Sequence, residues 1–203
     1  MSLPAMEYPR RISFEDFLAT LDEDTHAEWV DGRVVPMSPV SERHDEISGF
    51  IYVILRGFLR RRRIRGRAFH GEFQMKLGPA MSSRVPDVAY VAPEHMPRIE
   101  GTFLNGPADL AVEVVSPESR TRDRVEKLGE YEQGGVRDLW LIDPALHTVD
   151  AFRLSPAGMY ERVDLGDPAR LTCEALPGFW IDVEWLWLPE PDEWVAYEAW
   201  GLI

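Results

Sequence analysis

Apolar residues recur at helical spacing in two stretches near the start of the chain. Ser13 opens a capping-box pattern ahead of several apolar positions, which predicts a short helix over residues 14–21. Between residues 47 and 59 an apolar side chain returns every three or four positions. This spacing predicts an amphipathic helix over residues 42–61 with a wide face toward the core.

Shorter apolar runs bounded by turn residues predict β-strands. Asp31 and Gly32 separate two such runs, which predicts a hairpin over residues 26–37. Residues 78–84 and 93–107 are rich in Pro, Gly and Ser and are expected to be connecting loops. Further strands are predicted over residues 68–77, 85–91, 110–115 and 137–142, followed by a second hairpin over residues 147–165.

A helix is predicted between the last two single strands. It covers residues 122–133 and should end at Gly134 or Gly135, which tolerate the left-handed conformation of a C-cap. A strand, a helix and a strand favour a right-handed crossover, so the strands over residues 110–115 and 137–142 should be parallel. The prediction is an α/β fold with a mixed sheet flanked by helices.

Length and composition predict one domain over residues 1–203. The chain has 203 residues, of which 45% are hydrophobic, so it can bury a sizeable core. It has neither a long apolar run nor a signal-peptide core, so we expect a cytoplasmic protein without a membrane segment. Because Cys173 is the only cysteine, an internal disulfide and a multi-cysteine metal site are excluded, and a bound metal would need oxygen ligands.

The charge pattern allows two interpretations. A net charge of −13 argues against general affinity for nucleic acid. Arginines are nevertheless concentrated at the end of the second predicted helix. They form either a solvated helix end, where cations complement the helix dipole, or a patch that binds phosphates. The candidates for nucleic-acid binding are Arg60, Arg61, Arg62 and Arg63.

The C-terminal segment is unusually aromatic. Residues 176–203 contain five tryptophans, too much aromatic area for all of it to face solvent. We expect it to pack onto the sheet or into a dimer interface, and a homodimer is the favoured assembly. The core is therefore expected over residues 14–183, with a packing or dimerisation tail over residues 184–203.

Two carboxylates are the first candidates for chemistry. Asp87 follows Pro86 at the start of a predicted strand, and Glu113 lies within the apolar run of residues 110–115. A carboxylate in a buried strand is costly without a partner. If the two strands are neighbours, both acids can bind one divalent cation through oxygen, as Mg²⁺ prefers. Alternatively, Asp87 caps a loop and Glu113 pairs with an arginine.

Several motifs, in order and spacing, resemble a known family. The resemblance extends from about residue 14 to residue 183, and its motifs are Glu28-Trp-Val-Asp-Gly32, Met37-Ser-Pro39 with His44, Pro86-Asp87-Val88, Ala108-Asp-Leu-Ala-Val-Glu113-Val-Val-Ser-Pro117, Arg122-Asp-Arg-Val-Glu-Lys127-Leu-Gly-Glu-Tyr131 and Leu139-Trp-Leu-Ile-Asp-Pro144. They resemble the Uma-type family of restriction-endonuclease-like proteins, which is assigned to the PD-(D/E)XK nuclease superfamily. The resemblance implies the core fold of that superfamily.

The resemblance also implies roles for particular residues. It makes Asp87 and Glu113 the metal-binding acids. The lysine of the superfamily motif usually lies two residues after the second acid, where this chain has Val115. Members of the family show a lysine in the next helix instead, and that position is Lys127 here. The alternative for Lys127 is an ordinary solvated helix residue.

Two further residues are candidates through the resemblance alone. Glu28 could supply another metal ligand or hold water, and His44 could orient the leaving phosphate or act as an acid. Together these residues imply hydrolysis of DNA phosphodiester bonds with Mg²⁺ or Mn²⁺, in which Asp87, Glu113 and Lys127 are catalytic.

Two other functions remain open. The absence of a lysine at Val115 and the acidic balance favour a catalytically inactive module of the same fold that binds or assembles with a partner. A nuclease for RNA or branched DNA is the second alternative. The chain shows no helix-turn-helix or zinc-finger signature, so its sequence discloses no target sequence.

Overall fold

The helices lie close to the predicted positions. The structure is a computed structural model that describes residues 11–22, 25–79, 81–116 and 126–203. The predictions over residues 14–21 and 42–61 are confirmed to within one residue. Part of the helix predicted over residues 122–133 lies outside the described residues, and its described part follows a π-type turn at residues 126–127. The described α-helices are α1 (Phe14–Thr20), α2 (Glu42–Arg61), α3 (Leu128–Gly134) and α4 (Glu193–Ala199), with 3₁₀ helices at Pro93–Arg98 and Val183–Trp187.

The strands form two larger sheets and one ribbon. In chain order they are β1 (Ala27–Val30), β2 (Arg33–Pro36), β3 (Arg67–His70), β4 (Gln74–Lys76), β5 (Ser83–Arg84), β6 (Val88–Val91), β7 (Ile99–Glu100), β8 (Phe103–Asn105), β9 (Leu110–Val114), β10 (Asp138–Asp143), β11 (Thr148–Leu154), β12 (Tyr160–Arg162), β13 (Arg170–Thr172) and β14 (Trp180–Asp182). The central sheet has the order β12-β11-β10-β9-β6-β3, and the second sheet has the order β2-β1-β5-β4-β8-β7. Strands β13 and β14 pair only with each other among the described residues.

The central sheet is mixed, as predicted. Strands β9 and β10 are parallel, with Leu110 opposite Asp138, whereas β10 with β11 and β11 with β12 are antiparallel. The parallel pair and the hairpin over residues 147–165 are therefore confirmed. The hairpin at Asp31 and Gly32 is also confirmed, and both turn residues have positive φ, 50° and 79°. Such angles are typical of the primed turns that match strand twist.

Four local predictions are wrong, and all but one of them concern the second sheet. The strand predicted over residues 68–77 is broken at Gly71 and Glu72, which have φ of 53° and 41°, so β3 joins the central sheet and β4 the second sheet. The strand predicted over residues 85–91 begins only at Val88. The predicted loops 78–84 and 93–107 contain β5, β7 and β8. Strands of two or three residues are too short to show the alternation from which strands are predicted.

Apolar layers cover both faces of the central sheet. On one face, Ile51, Ile54 and Phe58 of α2 pack against residues such as Val112 and Trp140. Each large apolar side chain buried in this way stabilises the fold by about 1.5–3 kcal/mol. On the other face, the second sheet and α3 pack against alternate residues of β9 and β10. The ends of β9 and β10 therefore lie between two apolar layers.

The aromatic tail packs within its own chain. The Phe58 ring of α2 lies 5.4 Å from the Phe179 ring and 5.2 Å from the Trp200 ring. A Cβ added at Gly57 would collide with the hydroxyl of Tyr197, so this glycine lets α4 approach α2 closely. The expectation of intramolecular packing is met for these residues, and the homodimer stays a prediction. None of the described helices has the length and apolar character needed to cross a membrane.

Candidate active site

Asp87 lies where the start of α2 meets the end of β9. It directly precedes β6, whose Val88 is opposite Val112 of β9. Its Oδ2 accepts a hydrogen bond from the backbone N–H of Val114 at 2.6 Å, and its Oδ1 lies 2.9 Å from Nε2 of His44. The Asp87 side chain is only 15% exposed. The carboxylate is thus fixed beside the residue that follows Glu113.

His44 belongs to the first turn of α2. The Ser41 side chain caps the helix by accepting a hydrogen bond from the His44 backbone N–H. The ring is buried, and its Nδ1 has no hydrogen-bond partner among the described residues. Buried side-chain nitrogens are usually hydrogen-bonded, so this atom marks a position where a further group is expected.

Glu113 is held by two side chains from one short segment. Its Oε2 lies 2.8 Å from Nζ of Lys127, and its Oε1 accepts a hydrogen bond from the hydroxyl of Tyr131 at 2.5 Å. The three residues are buried, with 3%, 4% and 0% exposure. Lys127 is therefore not a solvated helix lysine, because its ammonium group points back to the strand that carries Glu113.

Glu28 extends this arrangement into the second sheet. Its Oε2 accepts a hydrogen bond from Arg84 at 2.8 Å, and its Oε1 lies 3.3 Å from Nζ of Lys127. Arg84 also donates two hydrogen bonds to Glu130, at 2.6 and 2.8 Å. We call Glu28, Arg84, Glu113, Lys127 and Glu130 the charged network. It ties β1, β5, β9 and the start of α3 together.

The charged network controls the protonation of its members. Burial alone would raise the pKa of Glu28, but the charges of Lys127 and Arg84, with hydrogen bonds from Arg84 and Val85, lower it from 4.5 to about 2. Burial and the charge of Glu113 hold the pKa of Tyr131 well above its ordinary value. Near neutral pH, Glu28 is therefore an anion and Tyr131 a neutral hydrogen-bond donor.

Comparison with known proteins identifies the family. The sequence model of the Uma2 family, described as "Putative restriction endonuclease", matches residues 14–184. The chain belongs to the Uma2 family. Membership supports a nuclease and confirms the resemblance seen in the motifs.

The fold agrees with that family. Five chains of known structure match. One of them, described as "a putative nuclease belonging to DUF820 from Anabaena variabilis ATCC 29413", superposes with a TM-score of 0.71 at 22% identity, over 86% of this chain and 97% of that chain. This likeness confirms the restriction-endonuclease-like α/β fold. No protein of curated function matches the chain.

The structure of this Uma2 member adds residues that the sequence did not indicate. Arg84 and Tyr131 contact Glu28 and Glu113 directly. Tyr131 could have been found, because it lies four residues after Lys127 and such pairs share a helix face. Arg84 could not, because its partners depend on β5, a strand of two residues that the sequence does not predict.

The predicted metal ligands are of the donor type that a hard divalent cation takes. Asp87 and Glu113 supply carboxylate oxygens from neighbouring strands, and Mg²⁺ is usually bound by one or two carboxylates together with waters and substrate phosphate. Each carboxylate oxygen can accept more than one contact, so a hydrogen bond to such an oxygen does not by itself prevent it from binding a cation. Across the described ranges, no group of three or more His, Cys, Asp or Glu side chains is arranged to hold a metal.

The four arginine candidates are distant from these acids. Arg60 to Arg63 are exposed at the C-terminal end of α2, about 24 Å along the helix from His44. Arg61 donates a hydrogen bond to the backbone oxygen of Leu202 and lies over the ring of Tyr197 at 4.6 Å. Part of this cluster therefore anchors the C-terminal tail. A role for it in nucleic-acid binding stays a prediction.

Proposed function

We propose that this Uma2 protein hydrolyses phosphodiester bonds of DNA with the help of Mg²⁺ or Mn²⁺. One observation carries the proposal: Lys127, from outside the strand, brings its ammonium group 2.8 Å from the carboxylate of Glu113. It thereby replaces the lysine that Val115 does not provide. The Asp87 carboxylate meets the same end of β9 through the backbone N–H of Val114, which supports the proposal.

Each residue has a distinct task in this proposal. Asp87 and Glu113 would hold the cation, which when bound supplies a Lewis acid and lowers the pKa of bound water. Lys127 stabilises the negative charge that develops on the phosphate oxygens. His44 orients the Asp87 carboxylate through the contact at 2.9 Å.

Glu28 has a positioning role rather than that of a metal ligand. Its two oxygens accept from Arg84, from the Val85 backbone N–H and from Lys127, and its side chain is 2% exposed. It holds the Lys127 ammonium group between its own carboxylate and that of Glu113. Movement of Lys127 away from Glu113 would therefore also remove a cation from the buried Glu28 carboxylate, which is costly.

Cleavage of plasmid DNA tests the proposal. Asp87→Asn and Glu113→Gln should each lower Mg²⁺-dependent cleavage by more than about a hundredfold, since loss of a ligand costs more than loss of an outer-shell contact. The matched control is Asp138→Asn, because Asp138 is a buried acid at the other end of the sheet. Cleavage that persists in both site variants would overturn the proposal.

One observation favours a second function. The charged network satisfies Glu28 and Glu113 with cations of the protein itself, so this part of the fold needs no metal for stability. The chain would then be an inactive binding or assembly module. Calorimetric titration with Mn²⁺ separates the two functions, because the nuclease should bind it and lose binding in Asp87→Asn, whereas the module should show no binding at these acids.

A further inference from the structure

A row of polar side chains leads from the candidate active site along the surface of α2. From His44, every fourth residue is polar: Ser48, Tyr52 and Arg56. Positions four apart are neighbours on a helix, and each step turns about 40° around its axis. The row therefore leads from the protein interior to the surface: Ser48 is buried, Tyr52 is half-buried and Arg56 is exposed.

The row is connected to β3 by direct contacts. Oγ of Ser48 lies 3.2 Å from Nε2 of His70. The Tyr52 ring stacks on the His70 ring, with centroids 5.3 Å apart and planes inclined by 17°. Arg56 donates a hydrogen bond to the Tyr52 hydroxyl at 2.9 Å. We call Ser48, Tyr52, Arg56 and His70 the α2 track.

The α2 track begins one helical turn after His44, whose ring contacts the proposed catalytic acid Asp87. Strand β3 is an edge strand of the central sheet, and the residue after it, Gly71, donates a backbone hydrogen bond to Asp87 at 2.9 Å. His70 is therefore held close to Asp87 by the backbone. From Ser48 to Arg56 the track spans about 12 Å along α2. This length exceeds that of a single nucleotide.

The chemistry of the α2 track matches an unpaired nucleic-acid strand. An exposed histidine ring stacked on a tyrosine offers a flat surface on which a base can stack, and stacking requires bases that are not paired in a duplex. Arg56, with Arg60 one turn further on, places exposed positive charge beside this surface in a chain of net charge −13. Such a local cation pair suits a phosphate backbone.

We propose that the α2 track binds a single DNA strand next to the phosphate to be cleaved. A base stacks on the ring pair of Tyr52 and His70, Arg56 contacts a phosphate, and Ser48 holds His70 in position. The inference rests on the proposed function and specifies the form of its substrate. It also distinguishes Arg56 and Arg60, which continue the track, from Arg61 and Arg62, which contact the C-terminal tail.

Fluorescence anisotropy of a labelled single-stranded oligonucleotide tests the track without cleavage, in the absence of divalent metal. Tyr52→Ala and Arg56→Ala should each weaken binding about tenfold, and Tyr52→Phe should retain most of the affinity because the ring remains. Arg56→Ala should also reduce the salt dependence by about one phosphate contact. Arg162→Ala is the matched control, an arginine 70% exposed on the opposite edge strand, and should bind as the wild type does.

Binding and cleavage together separate the two proposals. If the wild type binds the oligonucleotide without cleaving DNA, and Tyr52→Ala and Arg56→Ala lose binding, the track stands and the hydrolysis proposal fails. If both variants bind the strand as tightly as the wild type, the track is wrong whether or not DNA is cleaved. The track proposal is also wrong if the wild type fails to bind the single strand. It is wrong as well if the wild type binds duplex DNA equally well and Tyr52→Ala does not change that binding.

Discussion

The parallel pair of β9 and β10 has buried carboxylates at both ends, yet the two ends are built differently. At the N-terminal end, Asp138 accepts hydrogen bonds from the Glu174 backbone N–H and from Arg153, whose side chain is 31% exposed. At the C-terminal end, Glu113 contacts Lys127, which is 4% exposed. Asp138 is thus stabilised by a backbone N–H and a partly exposed cation, whereas Glu113 is stabilised by a buried cation.

The difference shows in the protonation of the acids. Burial raises the pKa of Asp138, and its hydrogen bonds and Arg153 offset this only in part. The pKa of Glu28, in the charged network, is lowered despite burial. A buried acid in a strand is therefore not by itself a sign of an active site. Convergence of several acids on shared buried cations distinguishes the C-terminal end.

Removal of Lys127 should have the largest effect on stability. Lys127→Met leaves Glu28 and Glu113 buried without their shared cation, so the free energy of unfolding should fall by about 3–5 kcal/mol. The matched change at the other end, Arg153→Met, should cost about 1 kcal/mol, because Asp138 keeps its backbone hydrogen bond. Urea denaturation of both variants measures the difference.

Adding Glu113→Gln to Lys127→Met should recover part of the lost stability, since the second change removes a buried negative charge that Lys127 no longer balances. Equal losses for Lys127→Met and Arg153→Met, or no recovery in the double variant, would show that the two ends are energetically alike.

The two ends should also respond to acid with opposite sign. Glu28 has a lowered pKa, so its contribution is present above its ordinary pKa of 4.5 and is lost as the pH falls toward about 2. Glu28→Gln should thus be less stable than the wild type near neutral pH, by about 3 kcal/mol, and the gap should close over this window. Asp138 has a raised pKa, so protonation of the folded state relieves its cost as the pH falls toward 3.8.

The wild type should therefore gain stability relative to Asp138→Asn as the pH falls toward 3.8, and lose stability relative to Glu28→Gln as the pH falls from 4.5 toward about 2. Urea denaturation at several pH values between neutrality and about 2.5 compares the three proteins. If the stability differences between the wild type and each of the two variants change in the same direction as the pH falls, the two ends do not differ in the way described.

Sequence patterns predicted the parts of the molecule in which local signals are strong. The helix α2 has a long apolar repeat, the hairpin at Asp31 has turn residues that tolerate positive φ, and Glu113 is the one acid in the apolar strand β9. Strands β5, β7 and β8 of the second sheet were missed, because they are very short and β5 and β8 pair with segments distant along the chain.

The candidate site divides in the same way. Asp87, Glu113 and Lys127 could be predicted, because they belong to motifs whose order and spacing are visible in the sequence. Arg84 lies 56 residues from Glu28 and 46 from Glu130, and its role arises only when β1, β5 and α3 meet. Partners that distant leave no periodic or spacing signal in one sequence.

Two tyrosines allow a hydrogen bond to a carboxylate of the charged network to be compared with a hydrogen bond to a neutral backbone oxygen. The Tyr131 hydroxyl donates to the Glu113 carboxylate, whereas the Tyr160 hydroxyl donates to the backbone oxygen of Val136 at 2.9 Å. Tyr131→Phe should lower the free energy of unfolding by about 2 kcal/mol and Tyr160→Phe by about 1 kcal/mol, because hydrogen bonds to charged groups are worth more than those between neutral ones. Urea denaturation gives both values. In Glu113→Gln the Tyr131 loss should shrink toward that of Tyr160, and an unchanged loss would mean that the charge of Glu113 does not strengthen this contact.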